Sequence, residues 1–394
     1  MRVKTTVHVP FKGELRMKIT FIEPTPSPNT MKLHLDESLE PGIRRTYTPE
    51  SERSAPAWAR EMLTIPGVTS IYHAADFAAL ERKGNADWAA ILREVQSRFG
   101  SSEGLTGDWS LDDENAGAHF GEAQVFVQMF RGIPMQIRVK TGANEERISL
   151  ANRFTKAVMD VASAVMIKER KLTDYGVRYG EPADIAREVE QEIEAAYPQE
   201  RLDSLVQQAI AHGAEGEFVE QRRTRTQDEL LRDLKHEDWR VRYAALEDLT
   251  PTAELLPELK AALHDPKLHI RRLAVVYLGD LRTPEAMELL YEAMADSAPA
   301  VRRTAGDTLS DIGDPAATPV MTAALTDKSK LVRWRAARFL YEVGTSEAQD
   351  ALTLAADDPE FEVGLQAKMA LERIASGEAA AGTVWQQMSE RRRN

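Results

Sequence analysis

The sequence predicts two α+β domains followed by an all-α solenoid of paired helices, and three observations carry that reading. From Thr226 onward one pattern recurs: an Asp, five residues later a β-branched apolar residue, usually an Arg, and then a stretch rich in Ala and Leu. The apolar positions Val241, Ile270, Val301, Val332 and Val363 are spaced 29, 31, 31 and 31 residues apart. A period near 31 residues is that of stacked helix pairs, each covering the apolar face its neighbour leaves open. Upstream of Thr226 the apolar residues instead alternate over short runs, the period of strands, between amphipathic helical stretches. A chain of 394 residues has room for two to three domains at roughly 150 residues each.

In chain order, residues 1–16 form a basic extension, and the first domain covers 17–100. Lys18–Ile22 and Met31–Leu35 alternate as strands. Between them Glu23-Pro24-Thr25-Pro26-Ser27-Pro28-Asn29 holds three alternating prolines, which fix φ and keep the connection extended. Ser54 is placed to cap a helix through Leu63 with Pro56 in its first turn. A turn at Ile65–Val68 leads to a strand pair, Thr69–Tyr72 and Phe77–Glu81. After Asp87, the residues Trp88, Ile91, Leu92, Val95 and Phe99 share one helix face.

Residues 101–118, rich in Gly, Ser and Asp, read as a linker. The middle domain covers 119–200: strands Gln124–Phe130 and Met135–Lys140 around an Arg131-Gly132 turn, a helix Ser149–Lys168, and a helix Pro182–Tyr197. A helix and linker at 201–225 precede the repeats at 226–376. There the Asp is expected to cap the second helix of each pair, and Gly279, Gly313 and Gly344 to supply left-handed caps. Pro284 and Pro315 are placed to open the next helices. Residues 377–394 read as a frayed tail.

Composition narrows the function classes. The chain has no cysteine, which excludes disulfides, thiolate nucleophiles and Cys-containing metal motifs. Its net charge is −13, and residues 226–376 hold 18 Lys and Arg against 27 Asp and Glu, a balance of −9 that argues against a nucleic-acid groove. The start has no apolar signal core, and the longest apolar stretch, Ala157–Ile167, is too short to span a bilayer at about 20 residues, so a cytoplasmic protein is expected.

No catalytic residue, metal ligand set or cofactor site is expected. The eight histidines form no H-E-x-x-H or H-x-H pair, and no G-x-S-x-G, Walker A or G-x-G-x-x-G is present. Candidate partner-binding residues are those of the proline connector (Glu23, Pro24, Thr25, Pro26, Pro28, Asn29), the arginines Arg242, Arg271, Arg302 and Arg333, and Trp239 on the first repeat. Each has a purely structural alternative. Prolines rigidify a strand connection, the arginines can pair with the aspartate of their own or the next repeat, and repeat aromatics pack cores.

Three stretches carry family resemblances. The repeats, with their D-x4-V-R-x2-A-x2-L-G pattern, resemble HEAT-like repeats of the phycobilin-lyase type over 226–376. "FIEPTPSPNTMKLHL" and "LTIPGVTSIYHAADFAALERKGNADWAAI" resemble the N-terminal domain of Nfu/NifU iron–sulfur scaffold proteins over 17–100. Those scaffolds hold their cluster through a C-x-x-C in a separate module, which this sequence lacks. Together with "FRGIPMQIRV" and "RFTKAVMDVA" in the middle segment, the three-part order resembles the conserved virulence factor C family of Gram-positive bacteria. The resemblance implies α+β N-terminal and middle domains followed by an all-α HEAT-like solenoid. It implies a non-enzymatic cytoplasmic adaptor whose partners are proteins, iron–sulfur assembly factors among them. Two alternatives stand beside it: an iron or iron–sulfur binding protein using a partner's ligands, and a HEAT-like lyase-type enzyme.

Overall fold

The computed structural model describes residues 17–25, 29–40, 43–49, 55–83, 86–99, 122–141, 144–161, 169–213 and 218–376. The chain divides into two compact units, 1–118 and 119–394. Ser54, Pro26, Pro28, the 1–16 extension, the 101–118 linker and the 377–394 tail lie outside the described residues.

The first unit is built on an antiparallel sheet of five strands: β1 (Ile19–Pro24), β2 (Thr30–Leu35), β3 (Arg44–Tyr47), β4 (Val68–Ala74) and β5 (Phe77–Arg82), in the order β1-β2-β5-β4-β3. Register places Leu33 opposite Ala78 and Ile71 opposite Leu80, so the apolar alternation of three strands falls on one face. That face is covered by α1 (Ala57–Leu63) and α2 (Trp88–Phe99), whose Trp58, Met62, Trp88, Ile91 and Val95 are buried. The backbone N–H of Ala90 donates to Asp87, which caps the start of α2. By contrast α1 begins directly after Pro56, which has no side-chain donor or acceptor to cap it. Strand β3 was not anticipated. Its four residues, Arg-Arg-Thr-Tyr, are polar enough to read as loop and become a strand only by pairing with β4.

The second unit joins the middle segment and the repeats. Its sheet has the order β8-β7-β6-β9, from β6 (Glu122–Phe130), β7 (Ile133–Thr141), β8 (Asn144–Ser149) and β9 (Arg170–Tyr179). Arg131 and Gly132, at φ 49° and 75°, make the β6–β7 turn, and two positive φ values match the twist of a two-residue hairpin. α3 (Asn152–Val161) and α4 (Pro182–Ala196) pack on β7, and α5 (Gln199–His212) packs on α3. The expected helix at 149–168 is shorter at its start, because residues 144–149 are strand, and 162–168 lie outside the described residues. β9, where the sequence predicts no strand, contains Gly176 in its interior and bulges at that glycine (φ 81°).

The repeats follow as five helix pairs: α6 (Gln227–Asp233) with α7 (Trp239–Glu247), α8 (Leu256–Leu263) with α9 (Leu268–Leu281), α10 (Pro284–Ala293) with α11 (Pro299–Ile312), α12 (Thr318–Ala324) with α13 (Lys330–Val343), and α14 (Gln349–Ala355) with α15 (Phe361–Ser376). The second helices α7, α9, α11, α13 and α15 stack in one row, each on the next. Thr226 opens the array with a reciprocal capping box: Glu229 N–H donates to its hydroxyl and its own N–H donates to the Glu229 carboxylate.

Two expectations about caps are corrected. Only Gly313 is a left-handed cap, at φ 67°. α9 runs past Gly279 and ends on Arg282 at φ 52°, while Gly344 is extended. Gly279 is needed for packing instead, since a Cβ there would lie 2.3 Å from Thr308 Cγ2 where α9 crosses α11. Nor does the repeated aspartate cap its helix. Asp265 lies two residues before the cap residue Lys267 and accepts that residue's N–H, bending the corner as an Asx turn. Asp296, Asp327 and Asp358 do the same for Ala298, Ser329 and Glu360, and in the first repeat His236 Nδ1 replaces the carboxylate, accepting from Asp238 N–H.

Candidate functional site

The proline connector closes the β1–β2 hairpin. Pro24 lies in β1, an edge strand, where a missing N–H is tolerated. Thr25 Oγ1 donates to Thr30 O at 2.9 Å. Asn29 is held from across the sheet: its carbonyl accepts Arg82 N–H at 3.0 Å, and its side-chain oxygen accepts from Arg82 Nε at 3.4 Å. Arg82 is buried, donates to Ala86 O and lies 5.2 Å from the Trp88 ring centre. Asn29 thus anchors the connector to β5 through Arg82, Thr25 ties it to Thr30 of β2, and Glu23 pairs in the strand with Lys32.

Arg242, Arg271, Arg302 and Arg333 start from the first turns of α7, α9, α11 and α13, and each grips the aspartate of the following repeat. Nε donates to Asp265, Asp296, Asp327 and Asp358 at 2.7 Å in every case, and Nη2 donates to the second carboxylate oxygen. Nη1 donates to the two carbonyls that open its own corner, as at Asp296 and Ser297 for Arg302. Burial alone would push the Asp296 carboxyl up, but Arg271 and the Ala298 N–H hold it below the usual range. The row is therefore a chain of bidentate staples between repeats. It ends at Gly364, where a Cβ would meet the Ala356 carbonyl at 3.0 Å and no further aspartate follows among the described residues.

Trp239 is half-buried. Its ring stacks on His269 at 5.5 Å and meets Tyr243 edge-on, and the Arg240 and Lys267 cations lie 5.3 and 5.6 Å from its centre. The connector belongs to the first unit and the arginine row with Trp239 to the second, so the candidates divide between the two units.

A second arginine row, one or two residues further along, does something different. Arg272 reaches across to Glu192 of α4 at 2.6 Å, and Glu192 also pairs with Arg178 of β9 at 3.3 Å with the His269 ring 3.6 Å away. Glu192 is 5% exposed. Burial pushes its carboxyl up, but Arg272, Arg178 and His269 together outweigh that and hold it well below the usual carboxylate range. Arg303 lies 4.0 Å from the Tyr179 ring centre at the end of β9, and shares Asp307 with Arg335. The middle segment is thereby joined to α9 through a buried ionic cluster and to α11 through the Arg303–Tyr179 contact. Sequence reading missed Glu192, although its position offered a signal: it falls in the apolar stripe Ile185, Val189, Ile193 and Ala196 of α4.

Beyond that junction the second-helix row keeps an open groove of about 340 Å³ between the C-terminal halves of α9 and α11. Val276, Gly279, Thr308 and Ile312 form its apolar part, and Asp280, Asp311 and Arg282 its polar rim. Burial pushes the Asp311 carboxyl up. Among the described residues no group of three or more His, Asp or Glu is placed to hold a metal, and no helix is long and apolar enough to cross a membrane. Chemically the groove offers aliphatic contact and hydrogen-bond acceptors, which suit polypeptide side chains.

Comparison with known proteins fits these parts. Residues 19–102 match the family model of the scaffold protein Nfu/NifU N terminal, 128–206 that of virulence factor, and 228–305 and 288–372 that of HEAT repeats. The uncharacterized protein YpgR of Bacillus subtilis is 52% identical over 379 residues, covering 96% of this chain and 99% of that one. Conserved virulence factor C of Staphylococcus haemolyticus is 44% identical over 380 residues, 95% of this chain and all of that one. Among solved structures, protein SAV1430 of Staphylococcus aureus is 39% identical over 20% of this chain and 95% of its own, with a TM-score of 0.20.

Proposed function

The chain belongs to the conserved virulence factor C family, and from that premise we propose that it is a non-enzymatic cytoplasmic scaffold that binds partner proteins through its solenoid. The observation that carries this reading is the groove between α9 and α11, set in a repeat array whose staples hold the helices in fixed register. Stacked repeats give extended binding surfaces, and here the buried network with α4 and β9 leaves the C-terminal halves of α9 and α11 as the open part. The Nfu-like segment is proposed to dock a second protein from iron–sulfur assembly or delivery. With no cysteine in the sequence, that role is docking alone, and the cluster stays on the partner.

The test is affinity capture from a bacterial lysate with the full chain and with a groove variant, Val276→Glu with Thr308→Arg. A partner retained by the first and lost by the second, at equal melting temperature, is the expected result. Equal retention by both chains refutes the groove as the binding surface.

A further inference from the structure

The sheet of the second unit has one face covered by α3 and α4, and the middle of its opposite face is exposed at Leu172, Asp174 and Val177. On that opposite face the side chains follow from the register. Phe126 faces Arg138 on β7, which in turn faces Arg147 on β8, while Gln128 and Gln124 face Leu172 and Val177 of β9. Leu172 is 46% exposed and Val177 45%. With Phe126 of the neighbouring strand they give this face three apolar side chains, Asp174 standing opposite Phe126 between Leu172 and Val177, whereas Val125, Val127, Ile137 and Val139 fill the helix side. Among the described residues β9 pairs with β6 alone, so it is one of the two edges of the sheet.

Charge singles this face out in an acidic chain. Along β7 and β8 this face carries Arg138, Lys140 and Arg147 against Glu145, an excess of two positive charges in a chain of net −13. Glu145 is shared by Arg147 at 3.0 Å and Arg138 at 3.5 Å, Lys140 lies 5.0 Å from the Phe126 ring centre, and Asp174 accepts from Gln124. Solvent-exposed apolar residues ringed by cations are complementary to an apolar stripe flanked by carboxylates. Leu172 and Val177 are aliphatic and Phe126 is the one aromatic of the three, so the surface suits side-chain packing better than base stacking, which needs successive aromatic platforms.

We propose that the open face of the β6–β9 sheet is a docking surface for an acidic amphipathic polypeptide segment, which lays its apolar side on Leu172, Phe126 and Val177 and its carboxylates toward Lys140 and Arg147. This is separate from the groove of the solenoid and stands or falls without it.

The experiment selects binders to the full chain from a phage-displayed library of random 16-residue peptides, then measures a selected peptide by fluorescence anisotropy at two salt concentrations. Two variants probe the face: Leu172→Ser with Val177→Ser removes the aliphatic side chains, and Lys140→Glu with Arg147→Glu reverses the charge. All four positions are at least partly exposed, and equal thermal melting confirms that each variant folds. Enrichment of peptides that combine aliphatic residues with Asp or Glu, weakened at least about tenfold by each variant and weakened by salt for the wild type, is the expected result. No enrichment, enrichment of neutral or basic peptides, or binding indifferent to both variants overturns the proposal. So does a 12-nucleotide uridine RNA that binds the same face more tightly than any selected peptide.

Discussion

His73 lies on β4 facing α1, with its ring edge-on to Trp58 at 5.1 Å and tilted against Tyr47 at 6.4 Å. It is 5% exposed, and among the described residues neither ring nitrogen has a hydrogen-bond partner. Burial holds its pKa below the ordinary imidazole value, and Arg45, opposite it on β3, adds to the effect. The folded state therefore prefers the neutral ring. Its contribution is fully present above the unfolded pKa of about 6.5 and is lost as pH falls from there through the lower folded value. Denaturant unfolding of the first unit, followed from pH 8 to pH 5, should show stability falling below about pH 6.5. A His73→Phe variant should show a flatter profile; an unchanged pH dependence in that variant would assign the effect elsewhere. In the sequence His73 is one histidine among eight with no motif around it, and its isolation comes only from the strand and helix that enclose it.

Between elements, the arginine row was legible as a row, because equivalent positions of a 31-residue period must stack. Which aspartate each arginine takes was not, since pairing within a repeat and between repeats both fit the spacing. The structure selects the next repeat, 25 residues on for Arg271, Arg302 and Arg333 and 23 for Arg242, because the helix crossing brings the following corner over the first turn. The same aspartate bends its own corner, so one carboxylate sets both the turn and the spacing between repeats. A double-mutant cycle of Arg302→Ala and Asp327→Ala should give a coupling energy of about 2 kcal/mol by denaturant unfolding, the range for a charge-assisted pair with little solvent access. Coupling within error of zero would reduce the staple to a surface ion pair.

At the scale of the molecule, the middle segment and the repeats form one compact unit, and Glu192 stands at the junction. Removing it leaves Arg272 and Arg178 without their shared carboxylate in a buried site, a change that typically costs about 3–5 kcal/mol. Glu192→Ala is thus expected to lose about that much stability in the second unit. Hydrogen exchange should show α4 and β9 losing protection before α11 and α13, where the wild type protects all four together. Uniform loss across them would mean that the two parts are held by apolar packing alone.

What the sequence by itself determined is whatever local chemistry repeats: the alternation of β1, β2, β5, β6 and β7, the Arg131-Gly132 turn, the helix pairs and their period. These are legible because residues a few positions apart, or one repeat apart, carry their own geometry. Tertiary structure alone decided the rest. Arg272 finds Glu192 80 residues away, the four-residue β3 exists only against β4, Gly279 makes room for Thr308 rather than ending its helix, and Leu172 and Val177 share a face with Phe126. Each depends on which distant elements come together, and a buried charge or an exposed leucine acquires its meaning only from what packing places beside it.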